Sequence, residues 1–286
     1  MRICRFMLKS EHEAEPRLGL MEERGIRDVT SVTDTLPALR WPLPPGDVLI
    51  AHLAALAPQL ARIANAAPLL PREAVRLLSP IANPGKFICG VGNWSHHKAP
   101  LGLLGFLFKA TSALAGEAEG VQLRWPDRIT LHEPELAIVI GRTCTNVSAA
   151  EALDYVAGYS CALDMTMKED KEFYCFCKSF DTYGVLGPCL VTTDEIPDTR
   201  DLAMWLDVNG KRFQSSSTRM MIFKPEFLVA YVSQFMSLEP GDVISTGTPA
   251  GVGLAQKPPL YLEPGDVVTL GIAGLGEQRQ VVVACD

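Results

Sequence analysis

The stretch Leu131-His132-Glu133-Pro134-Glu135-Leu136-Ala137-Ile138-Val139-Ile140-Gly141 decides how this chain is read. As an extended strand, it places Glu133, Glu135, Ala137 and Val139 on one face and Pro134, Leu136, Ile138 and Ile140 on the other. Two carboxylates therefore stand side by side at one end of a strand that is otherwise apolar on both faces. His132 points away from Glu133 in this geometry, and Pro134 suits only a strand's first residue or an edge. A second apolar run, Gly158-Tyr159-Ser160-Cys161-Ala162-Leu163-Asp164, ends on a third acid. Two readings follow. Either the acids mark a solvated strand end, or they form a hard oxygen site for Mg²⁺ or Mn²⁺, with Ca²⁺ also admissible. Like charges brought together inside a protein need a cation or a proton to neutralise them, and zinc would call for softer ligands.

Working outward, the sequence predicts short strands with few helices. Arg2–Phe6 and Leu18–Met21 form a ribbon, and Asp47 caps a helix from Val48 to about Ala66 that Pro58 should kink or interrupt. A Pro-punctuated connection follows, and residues 1–72 are expected as a small amino-terminal α+β module before a main body at 73–286. In the main body, Gly85–Gly92 reads as a strand, Ala149–Ala157 as a helix and Leu202–Val208 as a strand entering the hairpin turn Asn209-Gly210. Phe223–Met236 reads as a helix entered through Pro225. Leu238-Glu239-Pro240-Gly241-Asp242-Val243 recurs as Leu262-Glu263-Pro264-Gly265-Asp266-Val267, two turns that each launch a strand.

The chain has 286 residues, 48% of them hydrophobic, enough for a substantial core. Its 26 basic and 33 acidic residues give a net charge of −7, which argues against nucleic acid as a partner. His52, Arg62 and Lys109 break the apolar runs short of the roughly 18 residues of a membrane span. Charges at Arg2, Arg5 and Lys9 oppose a signal peptide, so the protein is expected in the cytoplasm with its eight cysteines reduced. Cys175 and Cys177 lack the second pair that a structural zinc site needs.

Seven segments occur in the order found in the fumarylacetoacetate hydrolase family, which this chain resembles from near residue 1 to its end. They are residues 89–97 (Cys-Gly-Val-Gly-Asn-Trp-Ser-His-His), 133–136, 158–164, 178–182, 208–210 with Gln214, 240–244, and 246–253 (Thr-Gly-Thr-Pro-Ala-Gly-Val-Gly). The resemblance implies a mixed α+β fold, a β-roll with peripheral helices, and a homodimer. It implies a divalent ion on Glu133, Glu135 and Asp164, and a small 2-oxo acid substrate of the fumarylpyruvate or acylpyruvate kind. It makes His97 the general base and Lys178 the cation at the developing oxyanion. Substrate would be held by Lys168, by Gln214, and by Thr246, Gly247 and Thr248 of a backbone nest. Hydrolytic carbon–carbon cleavage in small-molecule catabolism is the implied reaction.

Two positions depart from the family pattern. Pro100 stands where hydrolytic relatives place the glutamate that orients the histidine, and Lys168 replaces an arginine, losing its bidentate fork. Glu117, Glu119, Glu169 or Glu172 could supply the missing carboxylate. Without one, decarboxylation or isomerisation of a metal-bound 2-oxo acid becomes the alternative. A Schiff base on Lys178 or Lys168, or a catalytically idle binding protein, are further readings.

Overall fold

The computed structural model describes residues 1–11, 15–96, 105–168 and 174–285. Its centre is the hairpin that the acidic stretch predicts. Strand Thr130–Ile140 runs antiparallel to Val156–Met167, in register from Thr130↔Met167 to Val139↔Gly158 with a bulge before Ile140↔Val156, so Glu133 lies directly opposite Asp164. Among the described residues the hairpin sits within a twelve-stranded mixed sheet. Gly184–Thr192 flanks it on one side, and Val243–Ser245, Phe87–Gly90 and Phe106–Lys109 follow on the other.

Strand periodicity divides the core in two. Leu136, Ile138 and Ile140 pack with Leu206, Val268 and Leu270 of a five-stranded sheet that covers one face. Ala137 and Val139 share a cluster with Phe87 and with Leu53, Leu56 and Leu60 of the helix Val48–Ala66 on the other. Glu133 and Glu135 belong to this second face by alternation, at the end the helix leaves uncovered. Burial on both faces explains why the strand reads as continuously apolar beyond Glu135.

The helix Val48–Ala66 is unbroken. Asp47 accepts from the Ile50 N–H at 3.1 Å as its cap, and Pro58 lies on the exposed face without interrupting it. By length and composition alone this helix is apolar enough to cross a membrane. That apolarity comes partly from outward alanines at 51, 54, 55 and 61, while its leucine stripe packs inward. Residues before and after position 72 share the large sheet: Arg2–Leu8 pairs with Gly184–Thr192 through Arg2↔Val191 and with Val75–Leu78 through Arg5↔Leu78.

The helix expected over Ala149–Ala157 is instead one 3₁₀ turn, Ala152–Tyr155. The Tyr155 carbonyl is taken by the Gly141 N–H at 2.7 Å, and Val156 already begins the long strand, so no residues remain to propagate a helix. Both Pro-Gly turns launch strands, with Gly241 at φ 86° and Gly265 at φ 99°. In each copy the aspartate accepts from the backbone N–H of the glutamate three residues earlier, Glu239 to Asp242 at 2.7 Å and Glu263 to Asp266 at 2.8 Å. Asn209 and Gly210, at φ 51° and 77°, form the tight hairpin. All eight cysteines are free, six of them buried.

Candidate active site and metal centre

Antiparallel pairing brings the three acids together. One oxygen from each of Glu133, Glu135 and Asp164 lies within 4.8 Å of the others. Opposite ligands around one ion stand about two bond lengths apart, roughly 4.2–5.2 Å for Mg²⁺ to Ca²⁺, so this donor set can hold a hard divalent cation. Ala162 opposes Glu135 across the hairpin and leaves its carboxylate room. Glu133 and Glu135 line a cavity of about 360 Å³ whose polar lining also includes Lys178, Lys168 and Thr248. The rest of the lining is largely apolar, with Val91, Leu107, Leu131, Met167, Val252 and Leu254. Such a cavity suits a small anion with a short carbon tail.

Two lysines neutralise part of the acid cluster. The Lys178 ammonium donates to Asp164 Oδ2 at 2.7 Å, Glu133 Oε2 at 2.9 Å and Thr166 Oγ1 at 2.6 Å, using all three of its hydrogens. Burial would lower its pKa, but Asp164 and Glu133 outweigh that and hold it well above the ordinary lysine value. Lys109, whose side chain is fully buried, pairs with Asp164 Oδ1 at 2.6 Å and donates to the carbonyls of Lys178 at 2.8 Å and Met165 at 3.0 Å. A Cβ on Gly184 would stand 3.1 Å from the Lys109 Cδ and 2.7 Å from the Phe87 ring, so glycine gives this lysine its route. Burial pushes the Asp164 carboxyl upward, yet Lys109 and Lys178 reverse this and keep it below the usual aspartate value.

Glu135 is held differently. Its Oε2 accepts from the Ser245 hydroxyl and from the Gly247 N–H at 2.7 Å, both neutral donors. Burial, then the nearby charges of Asp164 and Glu133, push its carboxyl well above the ordinary glutamate value. Among the described residues three carboxylates face two ammonium groups, and the shortfall of positive charge lies on the Glu135 side. That is where a divalent ion fits.

The remaining sequence candidates divide. Lys168 is exposed and lines the cavity, as do Gly247 and Thr248. The Gly247 N–H serves Glu135 instead of forming an open anion nest, and Thr246 is fully buried with its N–H on the Leu136 carbonyl at 3.0 Å. Gln214 is 1% exposed and reaches the back of this loop instead of the cavity. Its side-chain N–H groups go to Thr248 Oγ1 at 3.1 Å and the Pro249 carbonyl at 2.9 Å, and its oxygen faces His132 Nδ1 at 3.3 Å. His132 is buried on the far face of the strand, and desolvation lowers its pKa to about 4, so the ring is neutral. His97, Pro100, Glu169 and Glu172 lie outside the described residues. Glu117 pairs with Arg72 at 2.7 Å and Glu119 accepts from the Gly116 N–H at 3.0 Å, so both candidates for the histidine's partner are engaged elsewhere.

Sequence reasoning missed Lys109 and Ser245. Lys109 closes the apolar run Phe106-Leu107-Phe108, and a charge ending a buried strand is the same signal that exposed the acids. Ser245 ends the strand after the first Pro-Gly turn and had no comparable mark.

Residues 90–283 match the family model described as fumarylacetoacetate hydrolase, C-terminal. A maleylpyruvate hydrolase of Aquipseudomonas alcaligenes is 43% identical over 270 residues, covering 88% of this chain and 91% of that protein. The crystal structure of maleylpyruvate hydrolase from Sphingobium sp. SYK-6, in complex with manganese(II) ion and pyruvate, is 33% identical with a TM-score of 0.84, covering 100% of both chains. A 5-carboxymethyl-2-hydroxymuconate delta-isomerase structure from Mycobacterium smegmatis is 28% identical with a TM-score of 0.75, again covering 100% of both. The family match over the main body and the likeness across both full chains agree with the acid geometry: this chain is an enzyme and belongs to the fumarylacetoacetate hydrolase family.

Proposed function

We propose that this protein is a divalent-metal-dependent hydrolase that cleaves a carbon–carbon bond of a short 2,4-dioxo acid of the acylpyruvate type, maleylpyruvate and fumarylpyruvate included. The observation that carries this reading is the acid trio, Glu135 and Asp164 buried and Glu133 partly so, one positive charge short among the described residues, beside a small, largely apolar cavity that Glu133 and Glu135 line. The likeness to a maleylpyruvate hydrolase, and to one crystallised with manganese and pyruvate, supports it. An ion on Glu133, Glu135 and Asp164 would supply Lewis acidity and a cationic anchor for the 2-oxo acid head.

The chain's own groups do the rest. Lys178 and Lys109 fix the carboxylates of Glu133 and Asp164, and the protonated Lys178 holds positive charge beside the position where an oxyanion develops. Val91, Leu107 and Val252 exclude water from the substrate tail. Lys168 offers its ammonium at the cavity wall to a second carboxylate on that tail. His97 takes a proton from the attacking water. Water adds to the C4 carbonyl, the C3–C4 bond breaks, its electron pair goes to the pyruvate fragment as an enolate, and a proton returns to that carbon. The products are pyruvate and the acid of the tail.

A second reading, isomerisation or decarboxylation on the same platform, is favoured by the likeness to the delta-isomerase structure and by Pro100 in place of a histidine-orienting acid. An imine on Lys178 is disfavoured, because all three of its hydrogens are engaged by acceptors. The same reading carries a homodimer, which sedimentation of the purified protein checks. To test the reaction, the protein loaded with Mn²⁺ is given maleylpyruvate or an acylpyruvate in ¹⁸O-water. One ¹⁸O atom in the tail acid with equimolar pyruvate supports hydrolysis. Carbon dioxide, or an isomer without label, overturns it in favour of the second reading.

A further inference from the structure

The substrate-cavity loop Thr246–Gly253 is pinned from behind by a residue of the other sheet. Gln214 lies on strand Lys211–Ser217 of the five-stranded sheet and is almost completely buried. The Pro249 carbonyl can only accept, so the group facing it at 2.9 Å is the Gln214 NH₂, which also reaches Thr248 Oγ1 at 3.1 Å. The amide oxygen is thereby turned toward His132, 3.3 Å away, and His132 Nδ1 must carry the hydrogen. His132 itself is fixed by the hairpin that carries Glu133 and by the Phe213 ring at 6.1 Å. On its cavity side, the same loop gives the Gly247 N–H to Glu135 and the Thr248 hydroxyl to the Pro134 carbonyl at 3.1 Å. Gly251, at φ 109°, lets the loop lie against this strand, since a Cβ there would come within 2.5 Å of the Phe213 carbonyl.

We infer that Gln214, oriented by the Nδ1–H of His132, is a positioning residue that sets the Gly247–Pro249 wall of the cavity and, through the Gly247 N–H, the Glu135 carboxylate. Its effect on catalysis rests on the function proposed above, whereas its effect on the loop does not. The sequence marked Gln214 as a substrate contact; the geometry moves it one layer outward and gives His132, adjacent to the acids yet facing away from them, a task.

The test uses three variants, Gln214→Leu, His132→Leu and His132→Asn, read by hydrogen exchange and by Mn²⁺-supported kinetics. Asparagine places an N–H close to where Nδ1 stood. It should cost little, since His132 Nε2 makes no hydrogen bond among the described residues. Both leucine variants should speed exchange in residues 247–251 by about ten-fold, the equivalent of roughly 1.4 kcal/mol of lost hydrogen bonding, with exchange in residues 136–140 unchanged. With an acylpyruvate they should raise KM by about five-fold or more, and the double leucine variant should be no worse than Gln214→Leu, because the two residues act as one unit. His132→Asn should restore both readouts. If a leucine variant does not fold, His132→Asn and Gln214→Glu serve in its place: the glutamate keeps size and removes both donors, so it should loosen the loop while the asparagine does not. Unchanged loop exchange in folded Gln214→Leu or Gln214→Glu, or additive effects in the double variant, would overturn the inference. Faster loop exchange without turnover of any acylpyruvate would leave it standing and count against the proposed reaction alone.

Discussion

Asp164 and Glu135 are both buried at the same end of one hairpin, yet they are neutralised by different means. Asp164 has an ammonium on each oxygen, Lys109 at 2.6 Å and Lys178 at 2.7 Å, and its carboxyl stays below the ordinary value. Glu135 has a hydroxyl and a peptide N–H, and its carboxyl is driven upward. Neutral donors satisfy hydrogen-bonding capacity but do not offset a buried charge beside two like charges. The Asp164 side is a completed ion cluster, whereas the Glu135 side is neutralised only by a proton or a further cation. On the function proposed above, Asp164 serves chiefly stability and Glu135 chiefly metal capture.

Substitutions can break this contrast, in falling order of their effect on the metal-free protein. Asp164→Ala leaves Lys109 without a counter-charge and Lys178 with Glu133 alone, and should cost about 3–5 kcal/mol, read as a fall of roughly 10 °C in the thermal midpoint. Lys109→Met removes one of the two cations and keeps the stem's volume; the expected loss is about 2–3 kcal/mol, because Lys178 still serves Asp164. Equal losses in these two variants would show that Lys109 alone carries the cluster. Glu135→Gln keeps shape and resembles the neutral carboxyl that burial and its two acidic neighbours favour, so the metal-free midpoint should move by less than about 1 kcal/mol equivalent, in either direction. What it should lose is stabilisation by the ion: at a hundred-fold excess over Kd, Mn²⁺ should stabilise the wild type by about 2.7 kcal/mol and this variant hardly at all. At the small end, Asp266→Asn at a surface turn should cost less than Asp242→Asn, because Asp242 is fully buried and also pairs with the Lys86 ammonium and N–H.

Much of this arrangement was legible in the chain. Alternation from Glu133 to Ile140 gave the strand, its two apolar faces and the side-by-side acids, and Asp47, Pro225 and Asn209-Gly210 marked real element ends. Local signals worked where local chemistry decides: caps, turns and period. They failed at Ala149–Ala157, where the pull of a long tertiary strand overrides helix propensity. Contacts between distant segments were the least visible. Lys109 meets Asp164 from 55 residues away, Ser245 meets Glu135 from 110, and Arg2–Leu8 joins the sheet of the acid-bearing hairpin through a partner nearly 190 residues on. Gln214 shows the limit from the other side, since a residue matched by motif to the site bonds to Thr248 and the Pro249 carbonyl and does not line the cavity.

The central claim is that Glu135 completes a divalent site that Asp164 and its lysines have already half built. The direct measurement is titration of Mn²⁺ into metal-free wild type and Glu135→Gln, following free ion by its electron paramagnetic resonance signal. The account predicts one ion per chain in the wild type and an affinity about a hundred-fold weaker in the variant, the loss of one charged ligand from three. Equal Mn²⁺ affinity in the two folded proteins would contradict it.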